Sequence, residues 1–169
     1  STLINAISKS NKEDAPRQAT KLLKKMIDLF KKGTLEEGPN TIIYNSVMNT
    51  YAAHGDIKGA TATLDLMEAD FKSGNKVAKP DMRTYSTLIN VISKSGNKDA
   101  PRQATNILKK MIELHSQGDL DEGPNAITYN SVMDTFAVEG DIEGATNILK
   151  IMKDDFHSGN KNARPDGHT

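Results

Sequence analysis

Residues 1–84 and 86–169 of this 169-residue chain are two copies of one segment. When the copies are aligned at an offset of 85 residues, 54 of the 84 paired positions are identical. A fixed period of this kind is typical of proteins in which similar units stack in a row, each contacting its neighbours. The duplication therefore predicts a repeat architecture, which suits a long periodic partner better than a single small substrate.

Each copy divides again into two shorter repeats with common landmarks. A Tyr opens three of them, at Tyr44, Tyr85 and Tyr129, and in all four an Ala is followed seven residues later by a Met. Every repeat closes on a Pro followed by Asn or Asp. These landmarks predict a single helical-repeat domain over residues 1–169, with repeats at about 1–40, 41–81, 82–125 and 126–166. Because Ser1 lacks the preceding Tyr and an initiator Met, we expect a piece of a longer array, with any targeting segment outside this sequence.

The apolar residues predict two helices in each repeat. The second helix is the clearest, because its apolar residues recur at intervals of three and four and so share one face. Gly55 can end the helix before it in a left-handed conformation, and Asp56 can cap the helix that follows. Asp14 and Asp99 are expected to cap in the same way, each before a Pro in the first helical turn. In the second repeat the apolar face consists of Ile57, Ala60, Leu64, Met67 and Phe71.

The predicted fold class is therefore all-α, a solenoid of four helix–turn–helix hairpins with about eight helices. No segment shows the sustained alternation of apolar and polar residues that is typical of a strand. A single hairpin cannot bury its own apolar face, so each is expected to pack on the next.

Composition excludes several functional classes. The formal net charge is zero and there is no Cys, which excludes disulfides and thiolate metal sites. No apolar run approaches the roughly 18 residues that span a membrane. The four His residues have no partner at ligand spacing, and we find no Gly-rich phosphate loop and no nucleophile beside a base. We therefore expect neither an enzyme nor a protein with a metal or another cofactor.

The landmarks resemble those of the pentatricopeptide repeat family. They are the run Tyr-Asn-Ser, the turns Lys-Ser-Gly and His-Gly-Asp, the Ala–Met spacing and the closing Pro-Asp. This resemblance covers the whole chain and implies a right-handed superhelix that binds single-stranded RNA in mitochondria or plastids, one nucleotide per repeat. The family's repeats have about 35 residues, whereas these have 41 and 44. The excess follows each Met, so the second helix and the loop after it are expected to be longer.

The resemblance also implies which residues contact RNA. In the family, the residue after the Tyr and the residue after the closing Pro together read one base. The implied pairs are Ser1 with Asn40, Asn45 with Asp81, Ser86 with Asn125, and Asn130 with Asp166. The family's rule links a small hydroxyl plus Asn to adenine and Asn plus Asp to uracil, so these pairs predict 5′-AUAU-3′.

Other residues are implied to contact the bases and the backbone. The residue two before the Tyr sandwiches bases in the family, and here it is Ile42, Arg83 or Ile127. Lys9 and Lys94, at the ends of two first helices, are candidates for phosphate contacts. Each assignment has a structural alternative, because Asn and Asp after Pro are ordinary cap residues. The two Ile residues suit a core equally well, and surface Lys residues are usually only solvated.

Two further interpretations of the whole chain stay open. The first is a protein-binding scaffold subunit of a larger organellar assembly, which the zero net charge favours because strong nucleic-acid binders are basic. The second is an engineered consensus array, which differences between the copies argue against, such as Lys72 opposite His157. The scaffold interpretation involves no RNA readout. In the RNA-binding interpretation, the expected partners are single-stranded RNA, protein partners in a larger complex and a second copy of the chain stacked end to end.

Overall fold

The computed structural model describes residues 6–7 and 13–165, and within those ranges it contains helices and no strands. The prediction of an all-α hairpin repeat fold is confirmed. Residues 6 and 7 are helical and lie before the first complete helix. The seven α-helices of the described residues are α1 (Ala15–Lys31), α2 (Thr41–Ala53), α3 (Ile57–Lys72), α4 (Met82–Ser93), α5 (Ala100–Ser116), α6 (Ala126–Glu139) and α7 (Ile142–His157).

The chain forms two compact units, Ser1–Pro80 and Asp81–Thr169. In the first unit, α2 packs against both α1 and α3. In the second unit, α4 packs against α5, and α6 packs against α4, α5 and α7. The first helices of successive repeats, α4 and α6, are therefore neighbours within the second unit.

The core of the first unit follows the predicted apolar faces. On α1, Ala19, Leu23 and Ile27 are spaced four residues apart and are buried on one side of the helix. They form one cluster with Tyr44 of α2 and Met67 of α3. The second unit buries the corresponding side of α5, at Ala104, Leu108 and Met111.

The turns between helices were predicted correctly in the even repeats. Gly55 and Gly140 have φ angles of 65° and 71°, in the left-handed region that favours glycine. The carboxylates of Asp56 and Asp141 then cap α3 and α7 by accepting hydrogen bonds from backbone N–H groups three residues later. These turns let the chain reverse direction within three residues.

The predicted caps of the odd repeats are wrong. Asp14 and Asp99 precede α1 and α5, but their side chains make no capping hydrogen bond. Their ψ angles are 0° and −1°, whereas a capping residue adopts an extended backbone that directs its side chain toward the helix N–H groups. The carboxylate of Asp14 instead accepts from Gln18, and that of Asp99 lies 3.6 Å from Nε of Arg102.

The lengthened part of the even repeats is anchored in the core. As predicted, each second helix extends past its Met, and α3 runs five residues beyond Met67. A short 3₁₀ turn follows at Lys76–Ala78, and its copy lies at Lys161–Ala163. Asn75, just before the first of these turns, donates to Oδ2 of Asp70 at 2.6 Å and to the carbonyl of Pro39 at 2.9 Å.

The Tyr that opens the repeat joins the same network. The Tyr44 hydroxyl donates to Oδ2 of Asp70 at 2.8 Å, and both residues are buried. Burial raises the pKa of the Tyr44 hydroxyl far above its usual value, and the hydrogen bond to Asp70 raises it further. The second unit repeats the network with Tyr129, Asp155, Asn160 and the carbonyl of Pro124.

Candidate nucleic-acid interface

The residues that follow the closing Pro are helix caps. Asn40, Asp81 and Asn125 each have an extended backbone and precede the first helix of the next hairpin. In each case a side-chain oxygen accepts a hydrogen bond from a backbone N–H three residues later. The donors are Ile43 at 3.1 Å, Thr84 at 2.8 Å and Thr128 at 3.0 Å, respectively. Asp166 lies outside the described residues.

Capping does not use the whole of each asparagine side chain. An amide group has a carbonyl oxygen and a separate NH2 donor, and the cap engages only the oxygen. Asn40 and Asn125 are both half-buried rather than enclosed. The capping role is therefore present at these positions, and it is compatible with base contacts from the NH2 group.

The residues that follow the Tyr lie one turn into the same helices. Asn45 is buried with 6% exposure, whereas Ser86 and Asn130 are half-buried. Oδ1 of Asn130 is buried and has no hydrogen-bond partner among the described residues. A buried acceptor without a partner is destabilising. Ser1 lies outside the described residues.

One predicted reading pair has both members among the described residues of a single unit. Oγ of Ser86 on α4 lies 2.8 Å from Oγ1 of Thr128 on α6, and that hydroxyl donates to Oδ1 of Asn125 at 3.0 Å. Sδ of Met82 lies 3.4 Å from the Ser86 hydroxyl and 4.0 Å from Nδ2 of Asn125. The packing of α4 on α6 thus joins Ser86 and Asn125 in one polar cluster.

For the other three predicted pairs, the two members do not both lie among the described residues of one unit. Asn45 belongs to the first unit and Asp81 to the second. Asn40 and Asn130 are described without their partners, Ser1 and Asp166.

The residues that are implied to sandwich bases are on the surface. The side chains of Ile42 and Ile127 are 65% and 74% exposed in the first turns of α2 and α6. This exposure excludes the core alternative for both residues. Arg83 is exposed in the first turn of α4. Single exposed apolar residues are common on protein surfaces, so the exposure permits a base contact without requiring one.

One of the two candidate phosphate-contacting lysines is among the described residues. Lys94 is exposed at the end of α4, and Lys9 lies outside the described residues.

In the part of the chain that the structure describes, no group of three or more His, Asp or Glu residues is arranged to hold a metal ion. No described helix is both long enough and apolar enough to cross a membrane.

The structure adds residues that the sequence interpretation missed. Thr128 links the members of a predicted reading pair, and its signal was an Asn followed three residues later by a Thr, the spacing of a side-chain cap. The Tyr129–Asp155–Asn160 network positions the carbonyl of Pro124, the residue before Asn125. Its signal was the identity of these residues in both copies, at separations of 26 and five residues.

Taken together, the hairpins, the capped first helices and the repeated Tyr–Asp–Asn network define a helical-repeat protein. The model of the PPR repeat matches residues 42–70 and 127–155, which begin at the exposed Ile residues and end at Asp70 and Asp155. Over these two segments the chain is similar to the pentatricopeptide repeat family. Proteins of this family are in general non-enzymatic RNA-binding adaptors, and they are typically organellar.

Curated relatives show the same similarity. Three pentatricopeptide repeat-containing proteins of Arabidopsis thaliana are 29%, 26% and 26% identical to the chain over 129, 115 and 117 residues. The alignments cover 75%, 68% and 69% of this chain but only 22%, 18% and 14% of the relatives. The last of the three is named as chloroplastic. The chain thus spans less than a quarter of the length of each of these relatives.

Proposed function

We propose that the chain binds single-stranded RNA with one base read by each repeat, in the order 5′-AUAU-3′. The observation that carries this proposal is the cluster of Ser86, Thr128 and Asn125, because it puts two implied reading residues within reach of one base. Similarity to the family and the exposed Ile127 two residues from Asn125 are further support. The physiological role would be stabilisation, processing or translation of an organellar RNA.

The proposed mechanism separates base stacking from base reading. Each base enters edge first and lies against the exposed side chain two residues before the landmark Tyr of its repeat, which is Ile42, Arg83 or Ile127. The edge of the base then meets two side chains. One lies near the start of the first helix of a repeat, such as Ser86 on α4, and the other caps the first helix of the following repeat, such as Asn125 before α6. Reading of single-stranded RNA by two or three side chains per helical repeat is an established mode of recognition.

Weak electrostatics shape the expected affinity. The chain is neutral overall, so the binding energy comes mainly from base contacts rather than from counterion release. Each neutralised phosphate contributes about −0.7 to the slope of log K against log salt for a single strand. We therefore expect a shallow salt dependence and a modest affinity for a four-nucleotide site.

A fluorescence anisotropy titration tests the proposal. The probes are fluorescein-labelled RNAs that carry (AU)n, (GC)n or poly-C, at low salt. The double variant Asn45→Ser, Asp81→Asn converts the second pair into a copy of the first and is expected to prefer 5′-AAAU-3′. Asn suits the cap position of Asp81, since Asn also caps helices. Thr61→Ala, at an exposed position of α3, is the matched control and should bind as the parent does.

A protein-binding scaffold is the second candidate function. Val138 and Ile142, at the turn between α6 and α7, are 70% and 80% exposed, and a protein partner would cover them. If the folded chain, and a longer array of the same repeats, bind none of the RNAs, the scaffold becomes the better account. An organellar location is proposed from the family, and the test is imaging of the complete gene product.

A further inference from the structure

The geometry points to Thr128 as a third specificity-determining residue in the repeat that Ser86 and Asn125 read. Its hydroxyl sets the direction of the hydrogen bonds that this pair offers, so that the pair presents an acceptor at Ser86 and a donor at Asn125. This inference rests on the proposed RNA-binding function and assigns a chemical basis to adenine at the third base.

The orientation of the Asn125 amide follows from its partners. A backbone N–H can only donate, so the Asn125 atom that faces the Thr128 N–H at 3.0 Å is the oxygen. The Thr128 hydroxyl donates to the same oxygen at 3.0 Å. With two donors on one side, the amide is held in one orientation, and its NH2 group points the other way. One N–H of that group is directed at Sδ of Met82, 4.0 Å from Nδ2, and the other remains for a ligand.

The direction of the next hydrogen bond follows from the first. A hydroxyl group has one hydrogen, and that of Thr128 is used on Asn125. In the 2.8 Å contact between the two hydroxyls, Ser86 is therefore the donor. The Met82 sulfur at 3.4 Å is a weaker acceptor than the Thr128 oxygen and does not compete for the Ser86 hydrogen. The Ser86 oxygen keeps its remaining acceptor capacity for a ligand.

An acceptor beside a donor matches the edge of adenine. The adenine amino group donates to the Ser86 oxygen, and the adjacent ring nitrogen N1 accepts from the Asn125 NH2 group. Hypoxanthine, the base of inosine, has the same ring shape but carries a carbonyl and an N–H at these two positions. In the place that adenine takes, it sets acceptor against acceptor and donor against donor, which disfavours binding.

The first unit contains a natural comparison. Asn40 is the equivalent cap of α2, but the residue three positions later is Ile43, which supplies only its backbone N–H. The amide of Asn40 thus lacks the second donor that holds Asn125. At Asp81 the Thr84 hydroxyl does donate to the capping oxygen, at 2.7 Å, but a carboxylate has no NH2 end to orient. The consequence for hydrogen-bond direction therefore applies to the Thr128 site.

The test uses RNAs with the core 5′-AUAU-3′ between cytosine flanks, and a matched RNA with inosine at the third base. For the parent chain, inosine should weaken binding roughly fivefold or more, the lower range for a two-bond base contact. Thr128→Val removes the hydroxyl and keeps the side-chain shape, and it should reduce this ratio to below about twofold. Thr128→Ser restores the hydroxyl and should restore the ratio.

Controls separate readout from folding. Inosine at the first base, which Ser1 and Asn40 read, should give the same ratio in the parent and in Thr128→Val. Circular dichroism should show that all variants are folded. If Thr128→Val is unfolded, Thr128→Ala takes its place in the test. An unchanged third-base ratio without the hydroxyl overturns this inference alone. Failure of the parent chain to bind the RNA at all overturns the proposed function and the inference with it.

Discussion

The hydroxyl of Tyr44 and the carboxylate of Asp70 are joined by a hydrogen bond of 2.8 Å in the interior of the first unit. Asp70 is 2% exposed, and its Oδ1 has no hydrogen-bond partner among the described residues. The carboxylate therefore depends on the donors that meet its Oδ2, which are Tyr44 and Asn75. Tyr129 and Asp155 repeat the contact at 2.7 Å, but Asp155 is only half-buried.

Removing the Tyr44 hydroxyl should destabilise the fold measurably. Tyr44→Phe leaves a buried carboxylate with one donor fewer, which should lower the free energy of unfolding by about 1.5–3 kcal/mol. Tyr129→Phe should cost less, because water reaches Asp155. Urea denaturation measures both. Tyr51→Phe is the control, since its hydroxyl meets a neutral partner, Thr20, at 2.7 Å. Equal losses for all three variants would contradict the role given to the carboxylate.

The same tyrosines should make the fold sensitive to alkali. Burial first, and then the neighbouring carboxylate, raises the pKa of Tyr44 and Tyr129 far above the ordinary value. Above about pH 10, tyrosine in the unfolded chain releases its proton while these two keep theirs in the folded state. The unfolded state then binds fewer protons, so the free energy of unfolding falls as pH rises, by up to about 1.4 kcal/mol per pH unit for each tyrosine.

Urea titrations from pH 9 to 11.5 check this prediction. The double variant Tyr44→Phe, Tyr129→Phe should start less stable but lose stability less steeply over that interval. A slope as steep as that of the parent chain would assign the alkaline sensitivity to other groups.

The close approach of α2 and α3 should make any larger residue at Gly59 destabilising. A Cβ atom at Gly59 would overlap the ring of Tyr51, whose hydroxyl is tied to Thr20. Gly59→Ala should therefore cost roughly 1–3 kcal/mol through overpacking, although Ala normally favours a helix over Gly. Thr61→Ala, exposed in the same helix, should change stability by less than about 0.5 kcal/mol. The midpoint temperatures of thermal unfolding of the two variants test this prediction. A Gly59→Ala variant more stable than the parent chain would contradict the close packing of Gly59 on Tyr51.

The isolated chain should associate with a second copy of itself. The exposed Val138 and Ile142 lie in the last repeat, which has a net charge of −3, whereas the first repeat has a net charge of +3. Head-to-tail contact covers apolar surface and pairs opposite charges. Light scattering should show a mass that rises with concentration, and Val138→Ser with Ile142→Ser should lower it. A monomer at every concentration would refute this prediction.

Local patterns predicted most of the fold. The intervals of three and four between Ile57 and Phe71, and the Gly55–Asp56 turn, depend only on neighbouring residues, and both agree with the structure. The failed caps at Asp14 and Asp99 show the limit of this reasoning, because residue type does not fix the ψ angle that a cap needs.

Contacts between distant residues could not be predicted in the same way. The contact between Ser86 and Thr128 exists because α4 lies beside α6, and no pattern within either helix specifies which helices are neighbours. The positions of Asn40 and Asn125 could be predicted as caps, and Thr128 lies at the local spacing of a capping partner, whereas the contact of Thr128 with Ser86 required the packed structure.

The hydrogen bond from Asn75 to the carbonyl of Pro39 has a consequence for anyone who recombines such arrays. Asn40 closes one repeat in the sequence, yet its position is set by side chains that belong to the following repeat. The exchangeable module therefore starts upstream of Gly38, where an added Cβ would overlap Asn75, rather than at the landmark Tyr. A crossover between residues 40 and 41 would transfer the proposed base-reading residue Asn40 without Asn75, whose side chain holds the preceding Pro39 in place.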